Sequence, residues 1–191
     1  ETVGRAHPHV DIRIAHPETG ETLPRGETGE FCTRGYSVMS GYWEDPVKTT
    51  EAIDEAGWMH TGDLAVMGLD GTVQIVGRIK DMVIRGGENI YPREIEEFLY
   101  THPEIEEVQV IGVPDKVYGE QLMAWIKRKP DLASPQLVSQ DDLKAFCAGK
   151  IAHYKVPHYV QFVETFPMTV TGKIRKVEMR ARSIKALGLE V

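Results

Sequence analysis

Apolar residues follow a two-residue period in the first part of this chain and a helical period in much of the rest, with the change near residue 80. Val10, Ile12 and Ile14 alternate with polar neighbours, the pattern of a half-buried strand. A turn-rich run, HPETGETLPRGETG, follows, and Glu30–Arg34 is expected to pair back as the next strand. Asp45 before Pro46 places an N-cap ahead of proline at the first helical position, so a short helix is predicted over 46–53. Asp63–Met67 and Thr72–Val76 flank Leu69-Asp70-Gly71, where Asp-Gly signals a hairpin. Residues 1–79 thus read as strands with one short helix, without a complete domain.

Beyond Lys80, Ile95, Phe98 and Leu99 fall at helical spacing behind Pro92, and His102-Pro103 ends that helix. Val108–Val113 and Gln121–Lys127 read as strands, the second leading into a polar connection over 127–136. Ser139 with Asp142 forms a capping-box pattern, and Leu143, Phe146, Cys147 and Ile151 make an apolar stripe behind it. Tyr159–Val163 reads as a short strand, and Lys176–Leu187 as a closing helix that Gly188 terminates. The expected class is α+β: residues 80–191 form a compact unit of helices on a short sheet, and 1–79 a separate β-rich part.

Between the two lies GRIKDMVIRGGENIYPREIE, Gly77 to Glu96. Adjacent Gly86 and Gly87 after the apolar run Met82-Val83-Ile84 suit a bent loop that lets another molecule come close. The same residues equally fit a plain interdomain linker followed by a hairpin turn.

Composition narrows the function classes. The formal charge of −7 resides in residues 1–79, with 13 acidic and 6 basic side chains, whereas 80–191 carry 16 of each. Lys173–Lys185 holds six basic residues against Glu178 alone, a cluster suited to phosphates, to nucleic acid or to a solvated helix face. An acidic chain without interleaved aromatics makes nucleic acid the weakest of these. No apolar run approaches the roughly 18 residues of a membrane span, and no signal peptide precedes the first strand. Cys32 and Cys147, far apart, fit reduced thiols in a cytoplasmic protein. Seven histidines show no zinc spacing, so no structural metal is expected. With Glu1 in place of methionine, the chain reads as a fragment of a longer enzyme.

Three stretches occur in order: WMHTGD at Trp58–Asp63, the glycine-pair segment, and PMTVTGKIRK at Pro167–Lys176. Gly172-Lys173 invites comparison with a phosphate-binding P-loop. That pattern fails, because Pro167 and Met168 stand where glycine belongs and Ile174 replaces Ser or Thr. Together the three stretches resemble the signatures of the adenylate-forming enzymes: acyl-CoA synthetases, nonribosomal adenylation domains and luciferases. The GGENIYP wording and AHYKVP at Ala152–Pro157 look most like medium-chain fatty acyl-CoA synthetases.

The resemblance implies that residues 1–79 are the last strands of a barrel-like subdomain and that 80–191 are a mobile C-terminal domain. It also implies an ATP-dependent acid-thiol ligase that adenylates a fatty acid with release of pyrophosphate and then forms a thioester with CoA. Lys173 would be the catalytic lysine bridging carboxylate and α-phosphate. Asp63 would bind the ribose, Arg78 the ribose and phosphate side, and Ile75 would pack near the adenine. Lys80 takes the hinge position, where many relatives have aspartate. Gly86, Gly87 and Glu88 would line the path of the CoA pantetheine, with Arg85 or Lys155 near its phosphates. Mg²⁺ would accompany ATP, held mainly upstream of Glu1, where the phosphate loop and acyl pocket are also expected. The fragment alone is therefore expected to be inactive. Small molecules are the expected partners, with oligomerisation left open. Two alternatives remain, an adenylation domain loading a carrier protein and a non-catalytic lid or binding module.

Overall fold

The computed structural model describes residues 2–130 and 139–189. They divide into two compact units, Glu1–Lys80 and Asp81–Val191. Most of the expected polar connection after residue 130 lies outside the described residues.

The first unit is a four-stranded antiparallel sheet of β1 (Val10–Ala15), β2 (Thr28–Gly35), β3 (Met59–Met67) and β4 (Val73–Arg78), in that spatial order. Helix α1 (Pro46–Ala52) interrupts it, capped by the Asp45 carboxylate, which accepts from the Lys48 N–H at 3.0 Å. Ile14, Ala65 and Val73 are buried, with Ile12, Leu23, Phe31, Met67 and Ile75 packed around them. Strand β3 begins four residues earlier than the alternation predicts, so Thr61, Gly62 and Asp63 lie inside it. They escape the two-residue pattern because β3 bulges there. Glu30 pairs with Leu64 and Cys32 with His60, so two steps along β2 span four along β3.

The second unit opens with a single 3₁₀ turn, Ile79–Asp81, that begins in the first unit and contains Lys80. Strands β5 (Val83–Arg85) and β6 (Glu88–Ile90) then form a hairpin closed by Gly86 and Gly87 at φ 59° and 87°. Two successive left-handed residues are what a two-residue hairpin demands, and glycine supplies them without strain. The hairpin turn expected after the linker is thus present, tight and exposed.

Helix α2 (Pro92–Leu99), strands β7 (Ile105–Asp115) and β8 (Gly119–Arg128), helix α3 (Gln140–Cys147), strand β9 (Tyr159–Phe162) and helix α4 (Lys176–Leu187) complete the unit. The sheet runs β6-β5-β8-β7, and β9 joins β8 in parallel. Along β8, Leu122, Ala124 and Ile126 enter a core shared with Ile95, Leu99, Leu143 and Cys147 of α2 and α3. The alternate residues Met123 and Trp125 enter a second core with Met179 of α4. Both faces of β8 are covered, which is why its sequence reads as a continuous apolar run. Each fully buried Leu or Ile contributes about 1.5–3 kcal/mol. Trp125 donates its indole N–H to Ser183 Oγ at 3.0 Å, and Ser183 donates to the Met179 carbonyl, so α4 is docked by a satisfied polar contact as well. Among the described residues no helix is long and apolar enough to cross a membrane.

Candidate functional site

In the first unit the antiparallel register sets Asp63 opposite Arg78. The Arg78 Nε–H donates to Asp63 Oδ1 at 2.9 Å, and both side chains are partly exposed. Asp63 is therefore a strand residue in a bulge and caps no turn. Ile75, across from Ala65, packs against the sheet's core.

Side chains hold the bulge that carries Asp63. Thr61 Oγ1 donates to the Phe31 carbonyl at 2.7 Å and accepts from the Asp63 N–H at 3.1 Å. Gly62, at φ 71°, donates its N–H to Glu30 Oε1 at 3.0 Å. The other Glu30 oxygen meets His60 Nδ1 at 2.7 Å, and His60 Nε2 lies 3.6 Å from Asp54 Oδ2. Burial raises the affinity of Asp54 for its proton. Hydrogen bonds from Trp58 N–H and from His60 outweigh that and hold its carboxyl below the ordinary range. Arg13 and Arg34 lie over the Trp58 ring at 4.5 and 4.6 Å. Glu30 was not singled out from the sequence as a site residue, and Trp58 and His60 entered only as part of the WMHTGD stretch, because their partners are distant in the chain.

Among the described residues, Glu30, Cys32 and His60 are the group whose donor atoms, all within 4.8 Å, would suit a metal ion. A thiol and an imidazole do not match the oxygen preference of Mg²⁺. Burial, with the nearby Glu30 charge, pushes the Cys32 thiol up to about 11. Hydrogen bonding accounts for the cluster.

In the second unit, the hairpin glycines are exposed, and a Cβ added at Gly87 meets nothing within 4 Å. Glu88 sits on β6 across from Arg85. Arg85 is held by Gln121 at 2.7 Å and stacks on Tyr118 at 4.3 Å. A cavity of about 630 Å³ opens beside it, and Arg85, Lys144, His153 and His158 are among the residues lining it. Lys155 is bound to Glu94 at 2.6 Å. One carboxylate ties the hairpin to α4: Glu120 accepts from the Ile84 N–H at 2.9 Å and from Arg180 at 2.6 Å.

Lys173 lies on a second tight turn. The Gly172 N–H donates to Thr169 O at 3.0 Å, Thr169 N–H to Lys173 O at 2.8 Å, and Lys173 N–H to Thr169 Oγ1 at 3.1 Å, with Gly172 at φ 78°. Lys173 is exposed and makes no ion pair among the described residues. Just beyond the turn, Lys176 is fastened to Glu96 at 2.6 Å and to the Val110 carbonyl at 3.1 Å, which anchors one side of the loop. An uncompensated ammonium on an anchored turn is suited to meet an anion.

Residues 94–173 match the AMP-binding enzyme C-terminal domain, and residues 1–43 match the AMP-binding enzyme family. The chain is 54% identical over 189 residues to YngI of Bacillus subtilis (strain 168), an acyl-CoA synthetase by name, covering 99% of this chain and 34% of that protein. It is 48% identical over 189 residues to the mitochondrial medium-chain acyl-CoA ligase ACSF2 of Homo sapiens, covering 99% of this chain and 30% of that protein. Its fold matches ATP-bound MatB from Rhodopseudomonas palustris with a TM-score of 0.88 at 36% identity, over 97% of this chain and 36% of that one. The chain thus spans about a third of the length of the proteins it matches. These matches bear out the resemblance and the α+β class expected from the sequence.

Proposed function

We propose, for a chain that belongs to the adenylate-forming superfamily, that it supplies the C-terminal part of an AMP-forming fatty acyl-CoA synthetase. In the first half-reaction a fatty-acid carboxylate oxygen attacks the α-phosphorus of ATP and pyrophosphate leaves. Two anions approach each other, so a cation between them lowers the barrier most. Lys173 fits that role, and its exposed ammonium, in no ion pair among the described residues, is the observation that carries this reading. Asp63 accepts from the ribose hydroxyls through the oxygen that Arg78 leaves free, and Arg78 turns its other N–H groups toward the phosphates. Ile75 borders the adenine.

In the second half-reaction the CoA sulfur attacks the acyl carbon and AMP leaves. The Gly86-Gly87-Glu88 hairpin lines the pantetheine path, where the absence of side chains leaves room. Arg85 and the cationic cavity beside it receive the CoA phosphates; Lys155 contributes only by releasing Glu94. A swing of the second unit about Lys80 brings Lys173 and the hairpin to the nucleotide in turn. In the full-length enzyme, Lys173→Ala is expected to slow adenylation by about 10²–10³ while still passing a supplied acyl-adenylate to CoA. Equal slowing of both half-reactions would end this reading.

A further inference from the structure

We propose that Glu30 is a positioning residue for nucleotide recognition, holding the β3 bulge so that the Asp63 carboxylate points at the ribose. The proposal rests on the ribose-binding reading of Asp63.

Glu30 is the one carboxylate buried among the described residues, at 6% exposure. Burying a carboxylate is costly unless its oxygens are hydrogen-bonded, so such a residue must be answered by specific partners. Both oxygens are answered on β3: Oε1 by the Gly62 N–H and Oε2 by His60 Nδ1. These contacts bracket Thr61, and Gly62 immediately precedes Asp63. Pairing to β2 is interrupted here, where the ladder skips from Glu30–Leu64 to Cys32–His60, and pairing to β4 begins only at Asp63 itself, opposite Arg78. Bulges re-aim side chains, and this one is pinned by side chains: Glu30 on Gly62, and Thr61 on the Phe31 carbonyl. Asp54, salt-linked to Arg13 at 3.5 Å, faces the far nitrogen of His60 and keeps the ring turned toward Glu30. The Asp63 backbone N–H is held by Thr61 Oγ1, and among the described residues its carboxylate is held by Arg78 at Oδ1. Releasing the bulge would therefore let its free oxygen swing away from two hydroxyls that it must accept together.

The test uses the full-length enzyme with ATP and with 2′,3′-dideoxy-ATP, which lacks both hydroxyls. Glu30→Ala is expected to raise KM for ATP about tenfold, leave KM for the fatty acid unchanged, and reduce the preference for ATP over the dideoxy nucleotide to that of Asp63→Ala. Glu30→Gln keeps a carbonyl acceptor for Gly62 and is expected to restore most of the preference. General damage to the fold would lower activity with both nucleotides equally, and that result overturns the proposal. If Glu30→Ala does not fold, Thr61→Val, which removes both the bond to the Phe31 carbonyl and that from the Asp63 N–H, is expected to produce the same loss of preference. A retained preference there shows that the bulge does not set the Asp63 carboxylate and overturns the proposal. An unchanged preference in Asp63→Ala removes the ribose reading and this proposal together. A loss in Asp63→Ala with retention in Glu30→Ala removes this proposal alone.

Discussion

Asp63 and Arg78 lie 15 residues apart in the chain and meet only because β3 and β4 are neighbours in the sheet. The TGD wording made Asp63 conspicuous in the sequence, and Arg78 stood out beside the glycine that precedes it. Glu30 did not: nothing beside it in the chain shows that its two oxygens meet Gly62 and His60, some thirty residues later on β3. Asp63→Ala in the full-length enzyme is expected to raise KM for ATP by roughly a factor of ten or more, as for a charged hydrogen bond lost. Steady-state kinetics with varied ATP checks this, and an unchanged KM returns Asp63 to a purely structural pairing with Arg78. Cys32 offers a test against pH. An unfolded thiol loses its proton near 9.0, whereas the folded protein keeps that of Cys32 to about 11. Above pH 9 the unfolded state binds fewer protons, so stability falls as pH rises and levels off beyond about 11. The loss from Cys32 approaches ~3 kcal/mol. Unfolding midpoints measured from pH 8 to 11 should decline in the parent chain and decline less in Cys32→Ala; parallel declines would rule Cys32 out as the source.

Elements were legible where a local rule sufficed. The Ser139–Asp142 capping box forms in both directions, Asp45 caps α1, and α4 runs from Lys176 to Leu187 with Gly188 in the left-handed conformation behind it. Elements were missed where length defeats periodicity. Strands β5 and β6 have three residues each, too few to show alternation, and β3 is broken in pattern by its own bulge. The docking of α4 was also invisible, since nothing in the sequence links Trp125 to Ser183, 58 residues later. Ser183→Ala leaves the buried indole N–H without its acceptor and should cost about 1–3 kcal/mol of stability. Chemical denaturation measures that directly, and a change near zero would mean that the indole finds another partner.

At the scale of the molecule, the sequence already separates an acidic β-rich part from a charge-balanced α+β part, and the structure groups the residues into two compact units. The candidate residues fall on both: Asp63, Arg78 and Ile75 on the first, the hairpin glycines and Lys173 on the second. Such a division fits an enzyme that changes partners between steps. The counterpart of the Lys173→Ala experiment is Gly87→Leu, which should leave adenylation intact and block transfer to CoA, because the bulky side chain would fill the pantetheine path proposed for the hairpin. Single-turnover measurement of each half-reaction decides it; slowed adenylation in Gly87→Leu contradicts the division of labour. The carboxylate of Glu120 gives this scheme a mechanical consequence. By gripping Ile84 on one side and Arg180 on the other, it couples the hairpin to the helix behind the lysine turn. The two working ends then behave like the jaws of one tool, with a fixed span between them. Whatever displaces one displaces the other, so Glu120→Ala should blunt both half-reactions where each end-specific variant blunts one. If both rates survive Glu120→Ala, the span is set elsewhere in the unit.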